Sequence, residues 1–173
     1  MKKIGIIVKI SNPEAIKTGE KVCKWLGNFG VETFVEKAIG DKVKCATAIE
    51  AEEIPGKVDA IIVLGGDGTM LHVVRLLKGS SVPILGVNQG GLGFLTAINV
   101  DEIFTLLERM LKGDYKTGER MMLSVDVLRK GKVVSHHRIL NDAVIKGTSA
   151  RLISLETSIN KEYVTTYRAD GLI

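Results

Sequence analysis

The chain has 173 residues, 45% of them hydrophobic and 25% charged, with a formal net charge of +4; that is enough to bury a core in one domain, or one domain and part of another. The small positive excess suits a phosphate-bearing ligand or plain solubility, and neither a Lys/Arg block nor a basic-aromatic stripe argues for nucleic acid as a partner. No segment is apolar enough to span a bilayer, so no membrane partner is expected and the cytoplasm is the expected location.

Met1-Lys2-Lys3 leads into a short apolar run, Ile4 to Ile10, which reads as a first strand rather than a signal segment. Asn12-Pro13-Glu14 supplies a capping residue, a proline at the first helical position and an acid in the first turn. The helix that follows carries Ile16, Val22, Cys23, Leu26 and Phe29 and ends at Gly30. Cys23 and Cys45 are too few for a disulfide framework or a zinc site, and Cys23 is expected as a buried thiol. Val31 to Val35 reads as a second strand. Lys37 to Lys57 is charged, holds Pro55 and Gly56, and reads as loop with one helical turn. Val58 to Leu64 is an almost unbroken apolar run, as in a parallel strand covered on both faces.

Gly65-Gly66-Asp67-Gly68-Thr69 comes next, then a helical pattern through Met70, Leu71, Val74 and Leu77. Val82 to Val87 is another buried strand, and Gly90-Gly91-Leu92-Gly93 a second glycine-rich loop. Asn99 and Glu102 form a capping pair for a helix from about Asp101 to Lys112, stopped by Gly113. This order of elements predicts an α/β N-terminal domain over residues 1–113 with a mostly parallel sheet. From Asp114 the helical periodicity is gone. Leu123, Val125 and Val127 alternate with polar residues, and Lys130-Gly131 and Asn160-Lys161 are turn signals between strand-like runs. Residues 114–173 are therefore expected to begin a β-rich domain, left incomplete where the sequence stops at Asp170-Gly171-Leu172-Ile173.

The residues that carry chemistry centre on Gly65 to Thr69. The segment follows a buried strand and opens a helix, the place where open α/β sheets bind ligands. Glycines let a phosphate approach the backbone, the helix N-terminus favours an anion, and Thr69 can cap the helix or bond a phosphate oxygen. Gly65, Gly66, Gly68 and Thr69 are thus the candidate phosphate and ATP contacts. Asp67 is out of place beside a phosphate unless it has a task, either accepting a proton from an attacking hydroxyl or holding Mg²⁺; the plain alternative is an ordinary turn. The segment is neither a Walker A loop nor the dinucleotide fingerprint, whose glycine spacing fails around Gly66 and Gly91. His136 and His137 are adjacent in a strand and point to opposite faces, which argues against a shared metal site.

Gly-Gly-Asp-Gly-Thr after a strand is shared by NAD kinases and by diacylglycerol and sphingosine lipid kinases. Four further segments resemble NAD kinases: Gly86 to Thr96, Glu119 to Leu123, Leu140 to Ile145 with Asn141-Asp142, and Arg168 to Ile173. All five keep the family's order. The resemblance implies phosphorylation of the 2′-hydroxyl on the adenosine ribose of NAD, with ATP or polyphosphate as donor and Mg²⁺ or another divalent ion accompanying ATP. It implies Asp67 as general base, and Asp67, Gly68, His72, Asn141, Asp142, Arg151, Arg168 and Asp170 as NAD contacts. No residue is assigned as a resident metal ligand. A homo-oligomer is implied. In the family the last segment continues into a Thr- and Gly-rich loop, so the 173-residue chain is expected to be a poor catalyst. A lipid kinase and a non-catalytic nucleotide-binding fragment are the alternatives.

Overall fold

Residues 1–90, 93–96, 98–149 and 151–173 are described by the computed structural model. Two compact units divide the chain, Met1–Glu119 and Arg120–Ile173.

In the first unit the apolar runs become parallel strands. β1 (Lys3–Val8), β2 (Glu32–Glu36), β3 (Thr47–Ile49), β4 (Ala60–Leu64), β5 (Ile84–Asn88) and β6 (Ile98–Asn99) form one sheet in the order β3-β2-β1-β4-β5-β6. All five pairings are parallel, with Val8 beside Leu64 at the end of β1 and β4. The chain builds outward from β1 to β3, then returns across the sheet to β4 and builds outward the other way. The ends of β1 and β4 are therefore the topological switch point, where the connections leave in opposite directions and open a crevice.

Strand alternation divides the core into two layers. Ile4, Ile6, Val8, Ile62 and Leu64 pack with Val22 and Leu26 of helix α1 (Pro13–Gly27) and with Ile103 and Leu107 of α4 (Ile103–Leu111). Ile7, Phe34, Ile61 and Val63 face the other way, onto Ile54 of the short α2 (Ile54–Lys57) and Met70, Val73 and Leu76 of α3 (Asp67–Leu77). The expected caps form. The Asn12 side chain accepts from the Glu14 and Ala15 amides at 3.0 and 3.4 Å, and Glu102 accepts from the Asn99 amide at 3.1 Å.

Two expectations need correction. The segment from Lys37 to Lys57 is not simply loop, because Thr47–Ile49 adds an edge strand parallel to β2, with Val35 opposite Ala48. Three residues are too few to show a period, and backbone pairing rather than burial places them. Nor is Cys23 a lone buried thiol, because the structure joins it to Cys45 with a Cα separation of 6.1 Å. The chain turns back over the 22 positions that separate them and brings Cys45 beside α1, a closure no local pattern announces.

The second unit is antiparallel. β7 (Leu123–Arg129) pairs with β8 (Lys132–Ile139), and β10 (Ile153–Ile159) with β11 (Glu162–Ala169). The two-residue turns Lys130-Gly131 and Asn160-Lys161 have positive φ throughout, the hand that suits the strand twist. A third, short sheet joins β9 (Ile145–Lys146) to β12 (Gly171–Leu172). No described helix is long and apolar enough to cross a membrane.

Candidate active site at the switch point of the parallel sheet

β4 is buried along its whole length and delivers Gly65 to the crevice. The Gly65 amide donates to the Val87 carbonyl of β5 at 3.0 Å, and the chain turns into α3 with Gly66 as the N-cap. A side chain at Gly65 would put Cβ 2.8 Å from the Thr69 Cβ, so Thr69 has folded back over it. Gly65 is thus required by packing alone. Gly66 and Gly68 differ: a Cβ on either would meet no described atom within 4 Å. Nothing in the described packing requires a glycine at Gly68, which is exposed.

Asp67 is the first residue of α3, where its charge complements the helix dipole. Oδ2 accepts from the Phe94 amide at 3.0 Å and Oδ1 from the Leu95 amide at 3.1 Å. The carboxylate therefore ties the first glycine-rich segment to the second. Gly93 makes this approach possible, since a Cβ there would lie 2.9 Å from the Asp67 Cγ and closer still to Oδ1. Gly86 lets the same loop approach β5, because its Cβ would stand 3.2 Å from both the Leu95 carbonyl oxygen and the Thr96 Cα. Within the second segment, Asn88 Oδ1 accepts from the Gly90 amide at 2.9 Å. Gln89 Nε2 and Thr96 Oγ1 are buried and without a partner among the described residues, the kind of group that a ligand or bound water satisfies. Gly91, Leu92 and Ala97 lie outside the described residues.

His72 stands on α3, half exposed, with Nε2 3.2 Å from Oε1 of Glu36. Glu36 ends β2 and is 7% exposed. The sequence reading missed this residue. Its one signal was an acid on the covered face of a strand, two positions after Phe34.

The other candidates belong to the second unit. Asn141 has a φ of 72°, and the Asp142 amide donates to the Leu140 carbonyl at 3.2 Å, so the pair forms a tight exposed turn after β8. Arg168 lies on β11 opposite Ser154, exposed. Asp170 follows it, and its carbonyl accepts from the Gly147 amide at 2.8 Å. The Arg151 amide donates to Ser149 Oγ at 3.4 Å, and Gly147 has the Arg151 and Asp170 carbonyl oxygens as near neighbours. Asp170 and Arg151 are thereby gathered around β9, which begins three residues after Asp142. His136 and His137 are separated as expected, bonded to Asp126 Oδ1 and Ser135 Oγ respectively. Among the described residues no three His, Cys, Asp or Glu side chains form a metal-holding group.

The family model for the ATP-NAD kinase N-terminal domain matches residues 4–115. The chain is 45% identical over 174 residues to the NAD kinase of Geotalea daltonii, covering 100% of this chain and 61% of the relative. It is 46% identical over 177 residues to that of Geobacter sp. strain M21, with 100% and 62% covered. It thus spans about three fifths of the length of the curated relatives it matches. Two solved structures share the fold: the yeast NADH kinase complexed with NADH (TM-score 0.81, 22% identity, 99% of this chain and 56% of that one) and the Archaeoglobus fulgidus NAD kinase in complex with ATP (TM-score 0.69, 20% identity, 98% and 58%).

Proposed function

Because this chain belongs to the NAD kinase family, we propose that the protein transfers the terminal phosphoryl group of ATP to the 2′-hydroxyl on the adenosine ribose of NAD, giving NADP and ADP. The observation that carries this reading is the Asp67 carboxylate at the switch point, between Gly66 and Gly68, where a Cβ would meet no described atom within 4 Å. The ribose oxygen attacks the terminal phosphorus, the bond to the ADP oxygen breaks, and Asp67 takes the hydroxyl proton. Each carboxylate oxygen spends one lone pair on a backbone amide and keeps another for that proton. Gly66, Gly68 and the α3 N-terminus receive phosphate, and Thr69 holds the turn by packing over Gly65. Polyphosphate is the alternative donor.

Mg²⁺ fits this site as an ion that arrives with ATP. Such ions keep several waters and need only one or two protein carboxylates beside the phosphates. Asp67 is the site carboxylate within reach of that role, and the ion would neutralise phosphate charge during transfer. His72, Asn141, Asp142, Arg151, Arg168 and Asp170 bind the dinucleotide in this reading, the carboxylates by accepting from ribose hydroxyls and the arginines by meeting phosphate charge. The same reading expects a cytoplasmic homo-oligomer.

The test is incubation of the protein with Mg-ATP and either NAD or diacylglycerol, with NADP read by an NADP-specific dehydrogenase and lipid phosphate by chromatography. Transfer to NAD alone is expected. Transfer to the lipid would overturn the assignment, as would NAD binding with no transfer in a chain of the relatives' full length.

A further inference from the structure

Glu36 is a carboxylate in a place built for an apolar side chain. It shares its sheet face with Phe34, on the side covered by α2 and α3, and is 7% exposed. Removing an acid from water is costly unless it is paired. Among the described residues its hydrogen-bond partner is His72, Nε2 to Oε1 at 3.2 Å. An ionised carboxylate only accepts, so in a neutral imidazole Nε2 carries the hydrogen and Nδ1 keeps its lone pair. Such carboxylate–histidine pairs fix both ring orientation and tautomer. The geometry also links two elements of the switch-point end of the sheet, since Glu36 closes β2 and His72 lies one turn into the helix that Asp67 begins.

We propose that Glu36 is a positioning residue that locks His72 as the Nε2–H tautomer, so that Nδ1 accepts a hydrogen bond from a donor of the bound nucleotide, a ribose hydroxyl or an exocyclic amine. The second half rests on the NAD-binding reading of His72; the first stands on the contact alone. A phosphate oxygen is excluded as the partner of Nδ1, because two acceptors do not bond.

The ring nitrogens of the protein's three histidines are read by long-range ¹⁵N–¹H correlation above pH 8, with His72 assigned by loss of its signals in H72N. The expected wild-type pattern is a single Nε2–H tautomer. E36Q, whose amide both donates and accepts, is expected to give a mixture. E36Q and H72A should each weaken NAD binding roughly three- to tenfold, about the worth of one hydrogen bond, and the double variant should lose no more than the greater single loss. A wild-type Nδ1–H tautomer overturns the proposal, and needs no variant to fold. An unchanged tautomer in E36Q, or additive losses in the double variant, overturns it as well. If the wild-type protein does not bind NAD, the nucleotide half fails, while the spectrum still decides the role of Glu36.

Discussion

Gly93 offers the sharpest test of the site, because its substitution acts on Asp67 without touching the carboxylate's chemistry. The substitution adds a single methyl at a point already in close contact with Asp67. That Cβ would stand 2.9 Å from the Asp67 Cγ, where ordinary contact begins near 3.4 Å, and the Oδ1 overlap is worse. The carboxylate or the loop must therefore retreat by at least half an ångström (about 0.5 Å or more), which stretches the 3.0 and 3.1 Å bonds to the Phe94 and Leu95 amides. Hydrogen bonds to a charged group contribute about 1.5–3 kcal/mol each when buried. These lie at a partly exposed loop, so a loss of about 1–2 kcal/mol in total is the reasoned magnitude. Displacing a reacting group by about 1 Å costs on the order of a hundredfold in rate. Gly93→Ala should thus lower kcat for NADP formation roughly ten- to a hundredfold, with a modest fall in melting temperature. The Phe94 and Leu95 amide resonances should move upfield as their acceptor withdraws. In an Asp67→Asn background the same substitution should cost little more. Wild-type turnover together with unshifted amides would refute the clamp between Asp67 and the second glycine-rich loop.

Asp67→Asn itself removes the proton acceptor and also replaces one amide-accepting oxygen by a donor. NADP formation should fall by about two or more orders of magnitude, with a smaller change in NAD affinity by calorimetry; near-normal turnover would exclude Asp67 as the base. Replacing Asn141 with glycine, which keeps its φ of 72° without strain, and Asp142 with alanine should weaken NAD binding while the melting curve stays close to wild type, since both side chains are exposed; lost stability at unchanged affinity would make the turn purely structural. Asp59 is held below the usual carboxylate range, first by the Lys2 amide and then by the Lys3 amide. A depressed folded-state value means its stabilisation is complete above the unfolded value of about 3.9 and disappears as pH falls through the lower folded one. Denaturation midpoints of Asp59→Ala should therefore lie slightly below wild type at neutral pH and converge with it in acid; a gap that persists or widens in acid would contradict the linkage.

Much of this was legible in order. The uninterrupted apolar run before Leu64 is a strand because only a covered parallel strand needs apolar residues on both faces. The Asn12 and Glu102 caps, and the turns at Lys130-Gly131 and Asn160-Lys161, are short-range hydrogen-bond and φ requirements that neighbouring residues satisfy among themselves. Asp67 stood out because a charge among glycines at a strand end has few bland explanations. Edge strand β3, the Cys23–Cys45 link and the Glu36–His72 pair were not legible. Each joins residues 12 or more positions apart whose meeting depends on where helices and crossovers set them down. The same division holds inside the site. Local sequence determined that a glycine-rich segment with an acid would follow β4 and open a helix, whereas the amides that Asp67 holds, and the reason Gly93 must lack a side chain, were decided by packing 26 to 28 residues away, where nonlocal contacts alone set the distance.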